Sequence, residues 1–225
     1  MENGKAGFYT GIIIILIAMG LSVSALRHNL YMCLAVFIVG TVVVFFSLFE
    51  GRDVSAEKIV LIAVLAGLSS AGRVVFSGVP SVQPSSFIII MTGVVFGPQM
   101  GFMTGAVTAL ASNLILGQGP WTPWQMFAWG IMGALSGLLP KWLGKNGIFM
   151  TVYSFLWGFL FGWIMNLWYS FGGFGTFISA SIASFPMDLA HAISNGILML
   201  FFGGLFTKKF LRIAVKYGLT GHKKV

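Results

Sequence analysis

The chain has 225 residues, of which 57% are hydrophobic and only 8% are charged, and its mean hydropathy is +0.94. Soluble domains carry roughly a quarter charged residues, so this composition excludes a soluble globular domain and indicates an integral membrane protein. The formal net charge of +8 comes from short basic segments between apolar runs. It therefore does not require nucleic acid as a partner.

Apolar runs separated by Gly, Pro and charged residues predict eight helices along the chain. Most of these runs have about 20 residues, the length that crosses a hydrocarbon core of about 30 Å. The run at 86–97 is too short to cross alone, and the FGPQMG sequence that follows predicts a tight turn or a broken helix. The predicted ranges are 7–26, 30–49, 57–74, 86–97, 99–116, 122–139, 148–171 and 178–206.

The basic residues divide unequally between alternate loops. Of the 13 Lys and Arg residues, all but Arg27 and Arg73 fall on one side, and short basic loops stay in the cytoplasm. This predicts that both termini are cytoplasmic. The basic segment 211–225 is predicted to be a cytoplasmic tail that lies on anionic lipid or against a partner. Three nearly uncharged loops, at 73–86, 117–124 and 171–177, are predicted to face outward.

One outer segment, GQGPWTPWQMFAWG at 117–130, combines three tryptophans, two prolines and two glutamines. Aromatic loops with few charges are typical of the entrance to a small-molecule pocket. The alternative is an interfacial aromatic belt, formed by Trp121, Trp124 and Trp129. A belt explains Gln118, Thr122 and Gln125 less easily.

Small residues recur at four-residue spacing on several predicted helices, which lets another backbone approach closely. From the residues alone, internal packing of the bundle is the first interpretation, and contact with another protein chain is the alternative. The three stripes are Ala63, Gly67 and Ala71; Gly101, Gly105 and Ala109; and Gly130, Ala134 and Gly137.

Polar side chains inside a membrane are costly and mark candidate functional positions. Asp188, His191 and Asn195 share one helical face after Pro186. With Ser184, Asn113 and Asn166 they are predicted either to line one buried polar site or to fix helix packing by mutual hydrogen bonds. Arg73 is predicted to pair with Asp188 or to meet an anionic part of a ligand.

Motifs for catalysis are missing from the sequence. It contains no phosphate-binding loop, no zinc-binding helix motif, no Cys/His cluster and no nucleophile elbow. With five acidic residues in the chain, acid/base and metal chemistry have few groups to use. The prediction is a protein that is not an enzyme, holds no metal and no permanently bound cofactor, and does not hydrolyse ATP by itself.

The run GVPSVQPSSFIIIMTGVVFGPQMGFMTGAVTALASNLILGQGPWTPWQMFAWGIMGALSGLLPK, 78–141, resembles the membrane S components of bacterial energy-coupling factor (ECF) transporters. The resemblance covers roughly 57–207, and GQGPWTPWQM is its most specific part. It implies an all-α, six-helix bundle in the plasma membrane that binds a vitamin at its outer face. The implied partners are a transmembrane coupling protein and two cytoplasmic ATPases, which bind the ATP and drive toppling of the S component.

The resemblance also implies a domain layout. A six-helix bundle at 53–210 would follow an additional N-terminal transmembrane hairpin at 1–52 and precede the tail at 211–225. The first helix of the family docks on the coupling protein through a small-residue face, which corresponds to Ala63, Gly67 and Ala71 and favours a partner interface for this stripe.

The family's substrate cavity lies among the outer loops and the polar residues of the last helix. The implied substrate-binding residues are Arg73, Gln83, Ser85, Asn113, Gln118, Trp121, Thr122, Trp124, Gln125, Asn166, Asp188, His191 and Asn195. Among S components the sequence looks most like the cobalamin-specific type. Riboflavin or another flat vitamin is the alternative ligand. Competing functions are a proton-coupled secondary transporter that uses Asp188 and His191, and a structural or assembly membrane protein.

Overall fold

The structure is a computed structural model. It describes residues 2–23, 55–119, 121–139, 147–167 and 173–219, together with the isolated positions 36, 39, 40, 43 and 169. By its contacts the chain divides into two compact units. The first consists of Met1–Ser55 with Trp163–Ser184, and the second consists of Ala56–Gly162 with Phe185–Val225.

All regular structure in the described residues is helical, in agreement with the predicted fold class. The helices are α1 (Glu2–Val23), α2 (Ala56–Val75), α3 (Pro84–Phe96), α4 (Pro98–Leu116), α5 (Thr122–Leu138), α6 (Gly147–Asn166) and α7 (Phe174–Lys216). Within these ranges, α2, α4, α6 and α7 are long and apolar enough to cross a membrane. At 1.5 Å per residue, the 13 residues of α3 span only about 20 Å.

Seven of the eight predicted helices therefore correspond to helices in the described residues. The predicted span at 30–49 falls almost entirely outside them, so the count of eight remains a prediction, as does the cytoplasmic placement of both termini. The main differences in length concern α6, which ends at Asn166, and α7, which has 43 residues and continues past residue 210 to Lys216. The predicted tail thus begins within a helix.

In the second unit, α4 packs against α2, α3 and α5, and α3 also contacts α2 and α5. Almost every residue of α3 is buried, because neighbouring helices pack around its mainly apolar sequence. This enclosure lets a helix too short to cross a membrane keep its ends away from lipid.

A single residue separates α3 from α4, as the FGPQMG sequence predicted. Gly97 has φ 96°, a conformation that side chains rarely tolerate, and its N–H donates to the carbonyl oxygen of Gly93 at 2.9 Å. Pro98 then begins α4, where its missing N–H costs no helical hydrogen bond. Pro84 begins α3 in the same way.

Two of the small-residue stripes form internal contacts, which confirms the packing interpretation for them. A Cβ atom added at Gly101 would collide with the backbone of Gly133, and one at Gly105 would collide with the backbone of Trp129. A Cβ atom at Gly137 would meet Gly97 and Pro98. These glycines let α4 and α5 approach to backbone contact.

The stripe on α2 differs from the other two. The buried face of α2 carries Leu65, Ala66, Ser69 and Ser70, whereas Ala63, Gly67 and Ala71 are exposed. A Cβ atom added at Gly67 would meet nothing within 4 Å. In the described part of the chain, no neighbouring helix therefore covers this stripe.

In the first unit, the isolated position Gly40 lies against Ile15 of α1. The amide nitrogen of Asn166 donates to the hydroxyl oxygen of Ser184 at 2.8 Å and to that of Ser181 at 3.4 Å. These bonds join the end of α6 to α7 within this unit.

Candidate functional site

A hydrogen-bonded cluster surrounds Arg73, in the last turn of α2. Its Nη1 atom donates to the hydroxyl oxygen of Ser112 at 2.5 Å and to the side-chain oxygen of Asn113 at 2.6 Å, both on α4. The sequence left open a pairing with Asp188, but the hydrogen bonds of Arg73 run to these two neutral groups. Arg73 therefore keeps its positive charge among uncharged partners.

Asn113 extends this cluster to the start of α5. Its amide nitrogen donates to the hydroxyl oxygen of Thr122 at 3.0 Å and to the side-chain oxygen of Gln125 at 2.6 Å. The Thr122 hydroxyl in turn donates to the side-chain oxygen of Gln118 at 2.8 Å, and Gln118 donates to the carbonyl oxygen of Leu110 at 3.0 Å. The three polar residues of the GQGPWTPWQM segment that an aromatic belt did not explain thus belong to one network with Arg73.

Trp129 connects this network to the interior. The guanidinium carbon of Arg73 lies 5.1 Å from the centre of the Trp129 ring, within the range of a cation–π interaction. Nε1 of Trp129 donates to the hydroxyl oxygen of Ser86 at 3.2 Å, and this oxygen lies 2.8 Å from Nε2 of His191. Phe161 stacks on Trp129 and meets the His191 ring edge-on. Four helices therefore meet around Trp129 through specific contacts.

A pocket of about 170 Å³ lies beside Arg73. The connection between α2 and α3 forms most of its lining. This connection contains successive turns, in one of which the Val79 N–H donates to the carbonyl oxygen of Phe76 at 2.9 Å. Ser81 in this connection has φ 59°, in the left-handed region. The pocket is lined by Arg73, Phe76, Ser77, Val79, Ser81, Val82, Gln83 and Leu116.

Gln83 contributes an unpaired acceptor to this pocket lining. Its Oε1 atom is buried and has no hydrogen-bond partner among the described residues. A buried polar group without a partner costs about 1–3 kcal/mol. The predicted residues Arg73 and Gln83 thus come together at one pocket, although they belong to different elements.

The predicted polar face of α7 is buried as expected, but its three residues have different neighbours. Asp188 lies directly over Gly162 of α6, His191 approaches Ser86 of α3, and the amide nitrogen of Asn195 donates to the carbonyl oxygen of Ser154 at 3.3 Å. These contacts join α7 to α6 and α3. They fit the alternative interpretation, in which the polar face fixes helix packing.

Asn166 forms its hydrogen bonds with Ser181 and Ser184 in the first unit, and Asn113 forms its bonds in the second. The single polar site predicted from these asparagines and α7 stays a prediction. Ser85 is fully buried, and its hydroxyl donates to the carbonyl oxygen of Ser69 at 2.9 Å. This bond joins α3 to α2 and makes Ser85 a packing residue.

The tryptophans of the outer segment occupy different environments. Trp121 is 45% exposed, whereas Trp124 is 1% exposed and Trp129 is completely buried. The prediction that these rings share a cavity rim or an interfacial belt is therefore wrong for Trp124 and Trp129. Hydropathy could not separate the three, because Trp has the same local signal at a rim and in a core.

Several contributors to the cluster escaped the sequence-based reasoning. Ser86 and Ser112 contact Trp129, His191 and Arg73. Serines in helices usually bond their own backbone, as Ser112 also does to the carbonyl oxygen of Thr108 at 2.7 Å, so no local pattern in the sequence indicated these longer-range contacts. The described residues contain no group of three or more His, Cys, Asp or Glu side chains that would hold a metal ion.

Comparison with known proteins bears directly on this bundle. Residues 52–208 match the family model described as "ECF-type riboflavin transporter, S component". The chain belongs to this S-component family. The match covers most of the chain and includes α2 to α6 and most of α7. The resemblance to an ECF S component inferred from the sequence is therefore confirmed at the level of the family.

Several curated relatives of this S component carry the name UPF0397 protein. One from Vibrio atlanticus is 33% identical over 97 residues, covering 41% of this chain and 52% of the relative. One from Lactobacillus helveticus is 27% identical over 183 residues, covering 74% of this chain and 95% of the relative. The chain spans about half the length of the first relatives it matches. No solved structure matches the chain.

Membership in this family assigns the chain to a class of membrane transport subunits rather than to a class of enzymes. The apolar helices agree with a multi-pass membrane protein, and the matched relatives are bacterial. ECF S components work with an energy-coupling module, so the exposed stripe on α2 and the pocket beside Arg73 are the two surfaces of functional interest on this S component.

Proposed function

We propose that this chain captures a vitamin-type compound at the outer face of the membrane for ATP-driven uptake by an ECF module. The observation that carries the proposal is the Arg73 cluster. A cation at the end of a membrane helix is held by Ser112 and Asn113 and lines a pocket together with Gln83. A few convergent polar groups beside an apolar lining are the usual composition of a small-molecule site.

Two vitamins are named candidates for the substrate. Cobalamin is favoured by the resemblance of the sequence, and riboflavin appears in the description of the matching family model. The pocket of about 170 Å³ is smaller than the roughly 300–1,000 Å³ of sites for drug-sized ligands. A corrinoid is much larger than a flavin, so this volume favours the smaller ligand or a part of it.

The exposed stripe on α2 supports the proposed partner. Ala63, Gly67 and Ala71 leave a smooth, apolar surface on which a second helix can pack at short distance. We propose that this face docks on the transmembrane coupling protein, with two cytoplasmic ATPases completing the complex. ATP would bind only to those ATPases.

A proton-coupled secondary transporter is the second candidate, because Asp188 and His191 are both buried on one helix.

An experiment in two steps distinguishes the two candidates. Purified protein in detergent is first screened for thermal stabilisation by a vitamin panel that includes riboflavin and cobalamin. Uptake of the stabilising compound is then measured in vesicles that contain the ECF module. We expect uptake to require internal ATP and to survive a protonophore. Uptake without ATP that a protonophore abolishes would favour the second candidate.

A further inference from the structure

We infer that the substrate of this site carries a carboxylate or phosphate group that binds Arg73. The inference rests on the proposed function, which supplies a small-molecule site but says nothing about the charge of the ligand. Three features of the described residues lead to it: the unused donors of Arg73, the neutrality of its surroundings, and the composition of the adjacent pocket.

The guanidinium group of Arg73 has donors left for a ligand. An arginine side chain carries five N–H donors in a planar fork. Within the described residues, the hydrogen bonds of Arg73 both originate at Nη1, so the donors on Nη2 and Nε are available to a ligand. A pair of parallel N–H groups is the arrangement that binds carboxylate and phosphate in a bidentate manner.

In the part of the chain that the structure describes, Arg73 has no acidic hydrogen-bond partner. Its hydrogen-bond partners in the described residues, Ser112 and Asn113, are uncharged, and its ring contact is Trp129. Glu57 lies 16 residues earlier on α2, about 24 Å away at 1.5 Å per residue. A partly buried cation without a counter-ion is costly, and a cation–π contact offsets this only in part. An anionic ligand would supply the missing charge.

The pocket limits the rest of the ligand. None of the side chains that line it is acidic, and Arg73 is its only charged lining residue. The other side chains that line it are uncharged, and Ser77, Ser81 and Gln83 are polar. The site therefore fits a small organic anion.

The test uses pairs of compounds that differ mainly in the anionic group. These are nicotinate with nicotinamide, biotin with biotin amide, and flavin mononucleotide with riboflavin. Binding to the purified full chain is measured by thermal shift and calorimetry in detergent. Because a hydrogen bond to a charged group contributes about 1.5–3 kcal/mol, we expect the anionic member of at least one pair to bind at least about tenfold more tightly than its neutral counterpart.

Three variants locate this preference at Arg73. Arg73→Gln should abolish the preference, and Arg73→Lys should retain part of it, because Lys keeps the charge without the planar fork. Asn113→Asp should also abolish it, because a carboxylate placed beside Nη1 would neutralise the guanidinium while preserving its contact. Thr151→Ala is the control. It removes an exposed hydroxyl that donates to the carbonyl oxygen of Gly147 in its own helix, outside the Arg73 cluster, and should keep the preference.

Co-purification of the wild-type chain with an ECF module separates this inference from the proposed function. Equal affinity for both members of every pair, or no stabilisation by any of the anions, would overturn the anionic substrate even if the module co-purifies. An anion preference that persists in both Arg73→Gln and Asn113→Asp would also overturn it. If the wild-type chain does not co-purify with the module and no tested compound binds to it, the proposed function itself is contradicted.

Discussion

The hydroxyl oxygen of Ser86 lies 2.8 Å from Nε2 of His191 and accepts a hydrogen bond from Nε1 of Trp129 at 3.2 Å. One small side chain thereby joins α3, α5 and α7 at a point where all three residues are buried. Because Trp129 also lies beneath Arg73, the packing of the interior and the position of the pocket cation depend on the same contact.

Ser86→Ala removes only one oxygen atom but should lower the free energy of unfolding considerably. It leaves Nε1 of Trp129 and Nε2 of His191 buried without this partner, at about 1–3 kcal/mol for each unpaired group. The expected result is a lower Tm in detergent. Thr151→Ala is the control, since that exposed hydroxyl bonds only the carbonyl oxygen of Gly147 in its own helix. Similar Tm values for the two variants would show that the Ser86 contacts contribute nothing specific.

Gly133→Ala should separate α4 from α5. The added Cβ atom would collide with the backbone of Gly101, which cannot move aside as a flexible side chain can, and overpacking of this kind costs about 1–3 kcal/mol or more. Gly67→Ala is the matched control in open space and should be neutral or slightly stabilising. The check is the difference in Tm and in yield of monodisperse protein. A Gly133→Ala variant as stable as Gly67→Ala would contradict the close packing.

Gly67→Leu should prevent co-purification with the coupling protein while ligand binding by the isolated subunit persists. A large side chain on this exposed stripe blocks the approach of another helix, whereas a Cβ atom at Gly67 has no neighbour within 4 Å in the described part of the chain. Gly204→Leu on α7 is the control, because that glycine also borders open space. Pull-down with a tagged module and a binding assay are measured on both variants. Ala63→Leu should behave like Gly67→Leu. If Gly67→Leu lost both co-purification and ligand binding, this face could not be assigned as the partner interface.

Trp124→Ala and Trp121→Ala should have opposite consequences. Trp124 is 1% exposed, so its truncation leaves a cavity that costs about 3–5 kcal/mol and should reduce Tm and expression. Trp121 is 45% exposed, and its truncation should leave Tm nearly unchanged. Affinity for the ligand is informative only for Trp121→Ala. Normal stability of Trp124→Ala would mean that this ring is not part of the packed interior.

The sidedness of the membrane is tested with cysteine labelling. Cys33 is the single cysteine in the sequence, so Cys33→Ser gives a background without cysteine. We expect Ser77→Cys to react with a membrane-impermeant maleimide applied to intact cells, and Lys216→Cys to react only after the membrane is opened. Both positions are exposed. The reverse pattern would place the pocket beside Arg73 on the cytoplasmic side and refute capture from outside.

The sequence by itself determined the class of the protein and the approximate positions of the helices in the described residues. Apolar runs bounded by Gly, Pro and charges are local signals, and they placed the break at Gly97 and the start of α4 at Pro98 close to where the structure has them. The small-residue spacing also identified the stripes correctly. It did not tell which stripe faces inward, because a glycine permits close approach wherever a neighbour lies.

Only the tertiary structure decided which polar groups meet. Ser86 and His191 are separated by 105 positions in the chain, and Arg73 and Asn113 by 40, so no local pattern predicts either pair. The same limit explains why the sequence left the partner of Arg73 open and placed Trp124 and Trp129 at a rim. Arg73 bonds neutral groups on α4, and the two tryptophans are buried. Hydropathy and periodicity report the preference of each segment for lipid or water, whereas the partner of a buried polar group is set by the way distant helices pack.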